Sequence, residues 1–167
     1  VAVDERYFQG SPSDPLYRSA YYPHNIHFVM VSAQMGGDGT TAVDAAKKLD
    51  AAVPAELAKQ FQIMEPVKAA PYTTQVTFAD PETVLALPAP DEQLVLVRAM
   101  YHYARATAFA RKNDTVAAQA EVDAISALDA KADYGPYEPW GVPAKAIVAT
   151  ARLVAIGRAY VDFARAN

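Results

Sequence analysis

The sequence predicts an all-α protein built as a stack of helical hairpins, and three observations carry that expectation. First, Tyr21-Tyr22-Pro23-His24-Asn25-Ile26-His27-Phe28 opens an amphipathic helix. A proline sits near its start, Ile26, Val29, Met30 and Ala33 recur at helical spacing, and Gly36-Gly37 stops it. Second, Asp38-Gly39-Thr40 turns the chain into another helix, which buries Ala42, Ala46 and Leu49 and closes before Pro54. Third, alanine supplies about a fifth of the chain, and this best of helix formers lets helices approach closely.

Taken in order, residues 1–20 carry little periodicity. Asp4 to Phe8 reads as the end of a helix, and Gly10 to Pro15 as a loop by its turn residues. Helices are predicted at 23–36 and 40–52, the second opened by a capping box between Thr41 and Asp44. A third starts at Pro54, carries Leu57, Phe61 and Met64 on one face, and is weakened or ended by Pro66. Residues 72–78 alternate as a strand would. Lying between prolines in a helical chain, they read as a connecting loop that buries Val76 and Phe78. Pro81 to Leu87 gives a short helix, stopped by Pro88-Ala89-Pro90. Asp91 is expected to cap the longest helix, 92–112, with Leu94, Val97, Tyr101, Ala104 and Ala108 as its stripe. After Asn113-Asp114, a helix at 115–129 points Ala118, Val122 and Ile125 inward. Residues 131–143 form a Pro/Gly/aromatic loop, and a final helix runs over 143–166. One domain spans 1–167, with an irregular loop and short-helix insertion around 66–90.

Hydrophobic residues make up 52% of the chain and charged residues 20%, as in ordinary globular proteins. A net charge of −4 with scattered Lys and Arg argues against nucleic acid as a partner, because phosphate binding needs a basic surface. The absence of cysteine excludes disulfides, thiolate metal sites and cysteine nucleophiles. The most apolar segment, Ala144 to Ala166, is interrupted by Lys145, Arg152, Arg158, Asp162 and Arg165, so no membrane insertion is expected. Cytoplasm and periplasm are both compatible with such a chain. It opens without Met and ends on Ala-Arg-Ala-Asn, like a first helix awaiting its partner. A processed chain or a piece of a longer array is therefore expected.

The two best hairpins can be laid on each other with an offset of 76 residues. Gly37-Asp38 then matches Asn113-Asp114, Ala42 matches Ala118, Ala46 matches Val122 and Leu49 matches Ile125. Pro54 falls at a closing proline, and Ala106 at the small position of a first helix. On these residues the chain resembles the tetratricopeptide-repeat (TPR) family, with its repeat of about 34 residues. The likeness covers two divergent units, 23–56 and 99–132. It departs from the pattern at Met30, where a small residue is usual, at Gly39, where an aromatic is usual, and at Ala130, where proline closes the unit. The Tyr21–Phe28 stretch and Tyr101-His102-Tyr103-Ala104-Arg105 also resemble segments of long bacterial TPR proteins. The resemblance implies a right-handed α-α superhelix whose first helices line a concave groove for a peptide or a partner's helix.

On that alignment the groove would carry His24, His27, Val31, Gln34 and Met35 from the first unit. The second would give Met100, Tyr103, Thr107, Ala110 and Arg111. This mixed apolar face suits an extended segment or an amphipathic helix, and it lacks the Lys, Asn and Arg set of a carboxylate clamp. The expected function is a non-enzymatic interaction or scaffold module with a protein or peptide partner, compatible with homo-oligomerisation or assembly with further repeats. Enzyme chemistry finds no support. Gly36 to Gly39 follows a helix and lacks the Lys-Ser/Thr ending of a phosphate loop, the serines have no nucleophile-elbow surroundings, and the acidic residues are dispersed. No cofactor is expected. One alternative is a zinc or copper site from His24 and His27, which share a helical face, and His102 on a helix stacked nearby. Structural roles for these rings weigh more heavily, since no supporting carboxylate stands out. Another alternative is a purely structural segment of a larger assembly. Trp140, in the 134–142 loop, is read as part of a cover over the stack rather than a recognition surface, since Pro136, Pro139 and Pro143 pre-order that loop.

Overall fold

The computed structural model describes residues 1–10 and 14–166, and the described residues form helices and turns with no strand. Ser11, Pro12 and Ser13 of the expected loop at 10–15 lie outside them. Helix α1 (Ala2–Gly10) comes first, then a π-helical turn at Tyr17–Tyr21 that runs straight into α2 (Tyr22–Gly36). α3 (Gly39–Ala52) completes a hairpin with α2. Short pieces follow: α4 (Ala55–Gln60), a 3-10 turn at Gln62–Met64, α5 (Glu65–Ala69), α6 (Pro71–Phe78) and α7 (Pro81–Leu85). α8 (Val95–Arg111) and α9 (Thr115–Asp129) make a second hairpin. A 3-10 turn at Gly135–Trp140 then leads to α10 (Ala144–Ala166).

The turns of the two hairpins share a left-handed residue, a reverse-turn hydrogen bond and an aspartate cap at the 76-residue offset. Gly37 and Asn113 both adopt the left-handed conformation, with φ of 75° and 60°. The Asp38 amide donates to the Ala33 carbonyl at 2.9 Å, and the Asp114 amide to the Phe109 carbonyl at 3.0 Å. Each aspartate then caps the next helix. Asp38 accepts from the Thr41 amide and Asp114 from the Ala117 amide, both at 3.0 Å. The matched positions Ala42/Ala118, Ala46/Val122 and Leu49/Ile125 are all buried.

α8 is the centre of the molecule. Leu94, at its N-cap, and Val97 join a core with Ile26, Met30 and Leu49 from the first hairpin. Leu96, Ala99 and Ala106 face Val122, Ile125 and Val148 of α9 and α10. Ala104 and Ala108 pack on Val76 of α6 and Val84 of α7. Three apolar clusters therefore share one helix, and its alanines let neighbours come close on every side.

Several expectations are corrected. Residues 72–78 are helix α6, not a loop: Pro71 fits its first turn, and the hydroxyls of Thr73 and Thr77 bond back to the carbonyls of Ala70 and Thr73 at 2.8 Å. Val76 is buried there and Phe78 half-buried. Pro66 starts α5 instead of ending a helix, and the stripe is broken earlier: Leu57 lies in α4, Phe61 at the junction after it and Met64 in the 3-10 turn. Asp38, not a Thr41–Asp44 box, caps α3. Asp91 does not cap α8, which begins later; its carboxylate takes the Gln93 amide and the Lys59 ammonium. α10 is the longest helix at 23 residues, against 17 for α8. Val29 faces outward.

Candidate functional site

On α2 the inward face is Pro23, Ile26, Met30 and Ala33. That places Tyr21, at the end of the π-helical turn, and His24, Phe28, Val31 and Met35 outward with alternating spacings of three and four residues, the pattern of a helix-pairing stripe. Phe28 is 63% exposed and Met35 86%. The helix carries no Asp, Glu, Lys or Arg over its whole length. The His24 ring stands edge-on to Phe28 with centroids 4.7 Å apart. His27 is half-buried, and burial first, then the nearby His24, pushes its imidazole below the ordinary value. Gln34, two turns further along the helix, is half-buried.

The α8 half of the expected groove is largely taken up in packing, although Arg111 itself is exposed. Thr107 is buried, its hydroxyl donating to the Tyr103 carbonyl at 3.0 Å. Arg111 is tied to the C-terminal end of α6: one guanidinium nitrogen donates to the Ala79 carbonyl at 2.9 Å and the Val76 carbonyl at 3.4 Å. Tyr103, with Met100, lines an apolar recess against α10, and Ala110 is buried. Val31 and Met35 are thus exposed as expected, while the residues from α8 serve packing.

The three histidines are not brought together. His102 Nδ1 lies 2.7 Å from Glu121 Oε2, and the other oxygen of Glu121 accepts from Arg105 Nε at 2.6 Å. Burial works to raise the Glu121 carboxyl, but the hydrogen bonds from His102 and Arg105 outweigh it and hold it below its ordinary value. Arg105 also donates to the Leu85 carbonyl at 3.1 Å, so the group ties α9 and the end of α7 to α8. Among the described residues no group of three His, Asp or Glu side chains is arranged to hold a metal ion. The carboxylate partner of His102 sits across a helix pair, where sequence spacing does not reveal it.

Two polar residues went unnoticed in the sequence. Glu65, 2% exposed, reaches the N-terminus of α8, where its Oε1 accepts from the amides of Leu96 at 2.7 Å and Val97 at 3.4 Å. Its other oxygen accepts from the Tyr137 hydroxyl at 2.5 Å. Burial pushes this carboxyl up, against the pull of those three hydrogen bonds. Tyr137 is the buried anchor of the 131–143 loop, and Trp140 lies edge-on to Phe61 at 6.2 Å, covering the 3-10 turn below. The second residue is Gln75, 5% exposed, whose amide oxygen is buried without a hydrogen-bond partner. A Glu ahead of Pro66 in an apolar stretch was the one signal for the first; Gln75 gave none.

No helix of the described residues is long and apolar enough to cross a membrane. Comparison with protein-family models, with curated proteins and with solved structures gave no match.

Proposed function

We propose that this chain is a non-enzymatic interaction module of a divergent TPR-type helical array, which docks a partner helix on the outer face of α2. The repeated turn at Gly37-Asp38 and Asn113-Asp114 supports the array reading. So does the way α10 packs on both helices of the preceding hairpin, as the first helix of a next unit would. The docking reading rests on one observation: a 15-residue surface helix without a formal charge, presenting Phe28, Val31 and Met35 at positions i, i+3 and i+7. A charged partner face would lose solvation there without gaining a counter-ion, so the favoured occupant is an apolar stripe of another helix. Burying Phe28 and Met35 would contribute about 3–6 kcal/mol before the costs of association.

A photo-crosslinking residue at position 28 or 35, with position 119 on α9 as control, tests this in cells that make the protein. The expected result is one helical partner segment labelled from 28 and 35 and not from 119. The purified partner should then bind the Phe28→Glu/Met35→Glu variant at least tenfold more weakly, with helicity by circular dichroism unchanged. Equal labelling at all three positions, or unaltered binding by the variant, would overturn the docking face.

A further inference from the structure

Helix α10 has two apolar faces. Ala144, Val148, Ala151 and Ala155 recur every three or four residues and are buried where the helix packs on α8 and α9. On the opposite side Ala149, Leu153, Ile156 and Tyr160 repeat that spacing and face outward, with Leu153 65% and Tyr160 78% exposed. A surface helix ordinarily carries its charges there. This outer seam holds no Asp, Glu, Lys or Arg. Lys145 and Arg152, seven residues apart, run along one of its edges, and Thr150 and Gly157 along the other. Lys48, Lys59, Lys68 and Lys112 each have a carboxylate partner, whereas among the described residues Lys145 and Arg152 have none. Gly157 is the third feature. Glycine inside a helix costs stability relative to alanine, and a Cβ built at this one would meet no atom within 4 Å. No neighbour among the described residues requires its small size.

We propose that the outer seam of α10 docks an amphipathic helix of a partner protein, apolar at its core positions and acidic along the edge that meets Lys145 and Arg152. Steps of four, three and four residues from Ala149 to Tyr160 are the register by which two helices interlock. Gly157, beside Leu153, Ile156 and Tyr160, lets the partner's backbone come close where a larger side chain would hold it off. Carboxylates seven residues apart on the partner would neutralise two cations that the chain leaves unpaired, and charges flanking such a seam select the partner and its orientation. The same edge argues against a second copy of α10. Antiparallel packing would set Lys145 and Arg152 against the copy's Arg152 and Lys145, and parallel packing would set them against uncharged Thr150 and Gly157. A bilayer surface has no use for the glycine, since lipid chains mould themselves to any side chain. The seam lies on a different helix from the α2 face and does not depend on it.

The test titrates the full chain into two fluorescein-labelled four-heptad peptides, both with Leu at the core positions, one with Glu and the other with Lys at the flanking positions. Fluorescence anisotropy should show saturable binding of the Glu peptide, at least tenfold tighter than that of the Lys peptide. Lys145→Glu/Arg152→Glu should reverse the preference. Gly157→Leu adds apolar surface in open space, so it should leave helicity by circular dichroism undiminished, yet weaken the Glu peptide at least tenfold; Gly157→Gln takes its place if helicity falls. Binding should persist in Phe28→Glu/Met35→Glu, and its loss there would move the peptide to α2 and overturn the α10 seam. Absence of saturable binding, equal binding of the two peptides, or undiminished binding by the Gly157 variant would overturn it as well. Self-association in sedimentation velocity that Gly157→Leu abolishes would put a second copy in the partner's place. Flotation with phosphatidylserine vesicles that Gly157→Leu leaves intact, without peptide binding, would assign the face to a bilayer and overturn the helix.

Discussion

Gly39 opens α3 at the point where it meets the end of α6. A Cβ built there would lie 2.8 Å from Cδ1 of Phe78 and 3.3 Å from its Cγ, so the glycine is set by the neighbour and not by its own backbone. Two effects of opposite sign compete in Gly39→Ala. Alanine in the first turn gains about 0.5–1 kcal/mol of helix preference, while displacing a half-buried ring costs about 1–3 kcal/mol. The clash is expected to win, lowering stability by about 1 kcal/mol in urea unfolding. In a Phe78→Ala background the clash is gone and the same change should stabilise. A reversal of sign across this double-mutant cycle is the signature of the contact. Strict additivity would mean that the ring is free to move and that Gly39 has another cause. The same contact leaves no room for a larger side chain at this position: an aromatic there would meet Phe78.

Among the elements, α8 shows what local sequence can and cannot reveal. The turns ahead of α3 and α9 were legible, because Gly37, Asp38, Asn113 and Asp114 act within a few residues of themselves, although the cap of α3 is Asp38 and not the expected Thr41–Asp44 box. α6 was not, since Thr74, Val76 and Phe78 have the alternation and branching of a strand, and its burial against α3 and α8 overrides that preference. The cap of α8 comes from Glu65, 31 residues earlier, secured by Tyr137 a further 41 residues beyond Leu96. No local pattern encodes that. For the candidate surface, Val31 and Met35 could be read from the helical period of α2 alone. Thr107 and Arg111 could not be placed correctly, because only the packed fold decides that Thr107 is buried and that the guanidinium of the exposed Arg111 is tied to carbonyls at the end of α6. The Glu65 cap has a pH signature. A carboxyl whose folded pKa lies above 4.5 holds its proton more tightly in the folded chain. It therefore favours the fold below the ordinary carboxylate range, and this contribution is lost as pH rises through the raised value. Glu65→Gln keeps an acceptor for the Leu96 and Val97 amides and does not titrate. Relative to wild type, it should gain stability steadily as urea unfolding is repeated from pH 4.5 toward neutrality. Glu65→Ala should instead cost about 2–4 kcal/mol, since it strands two amides and a phenol in the core. A difference between wild type and Glu65→Gln that stays flat with pH would show the carboxyl to be ordinary.

At the scale of the whole molecule, a repeated hairpin and a shared central helix make opposite demands on cooperativity. Repeats that touch only their neighbours can unfold piecemeal. Here α3 rests on α5 and α6, these rest on α8, and α9 and α10 rest on α8 from the other side. Removing α8 dissolves all three apolar clusters at once, so the chain is expected to unfold as one unit. Trp140, the single tryptophan, reports this from one place: its ring meets Phe61 in the cover held down by Tyr137 and Glu65. Its fluorescence and the far-ultraviolet dichroism of the helices should trace the same urea transition. The first hairpin is the critical part, because it contains no tryptophan and meets the centre through α5 and α6 and through the Leu94 and Val97 end of α8. If it were an independent repeat, dichroism would fall before Trp140 responds, and the two curves would separate. Coincident curves would instead mean that the α2 face is held rigid by the distant core, presenting Phe28 and Met35 to a partner without a prior ordering cost.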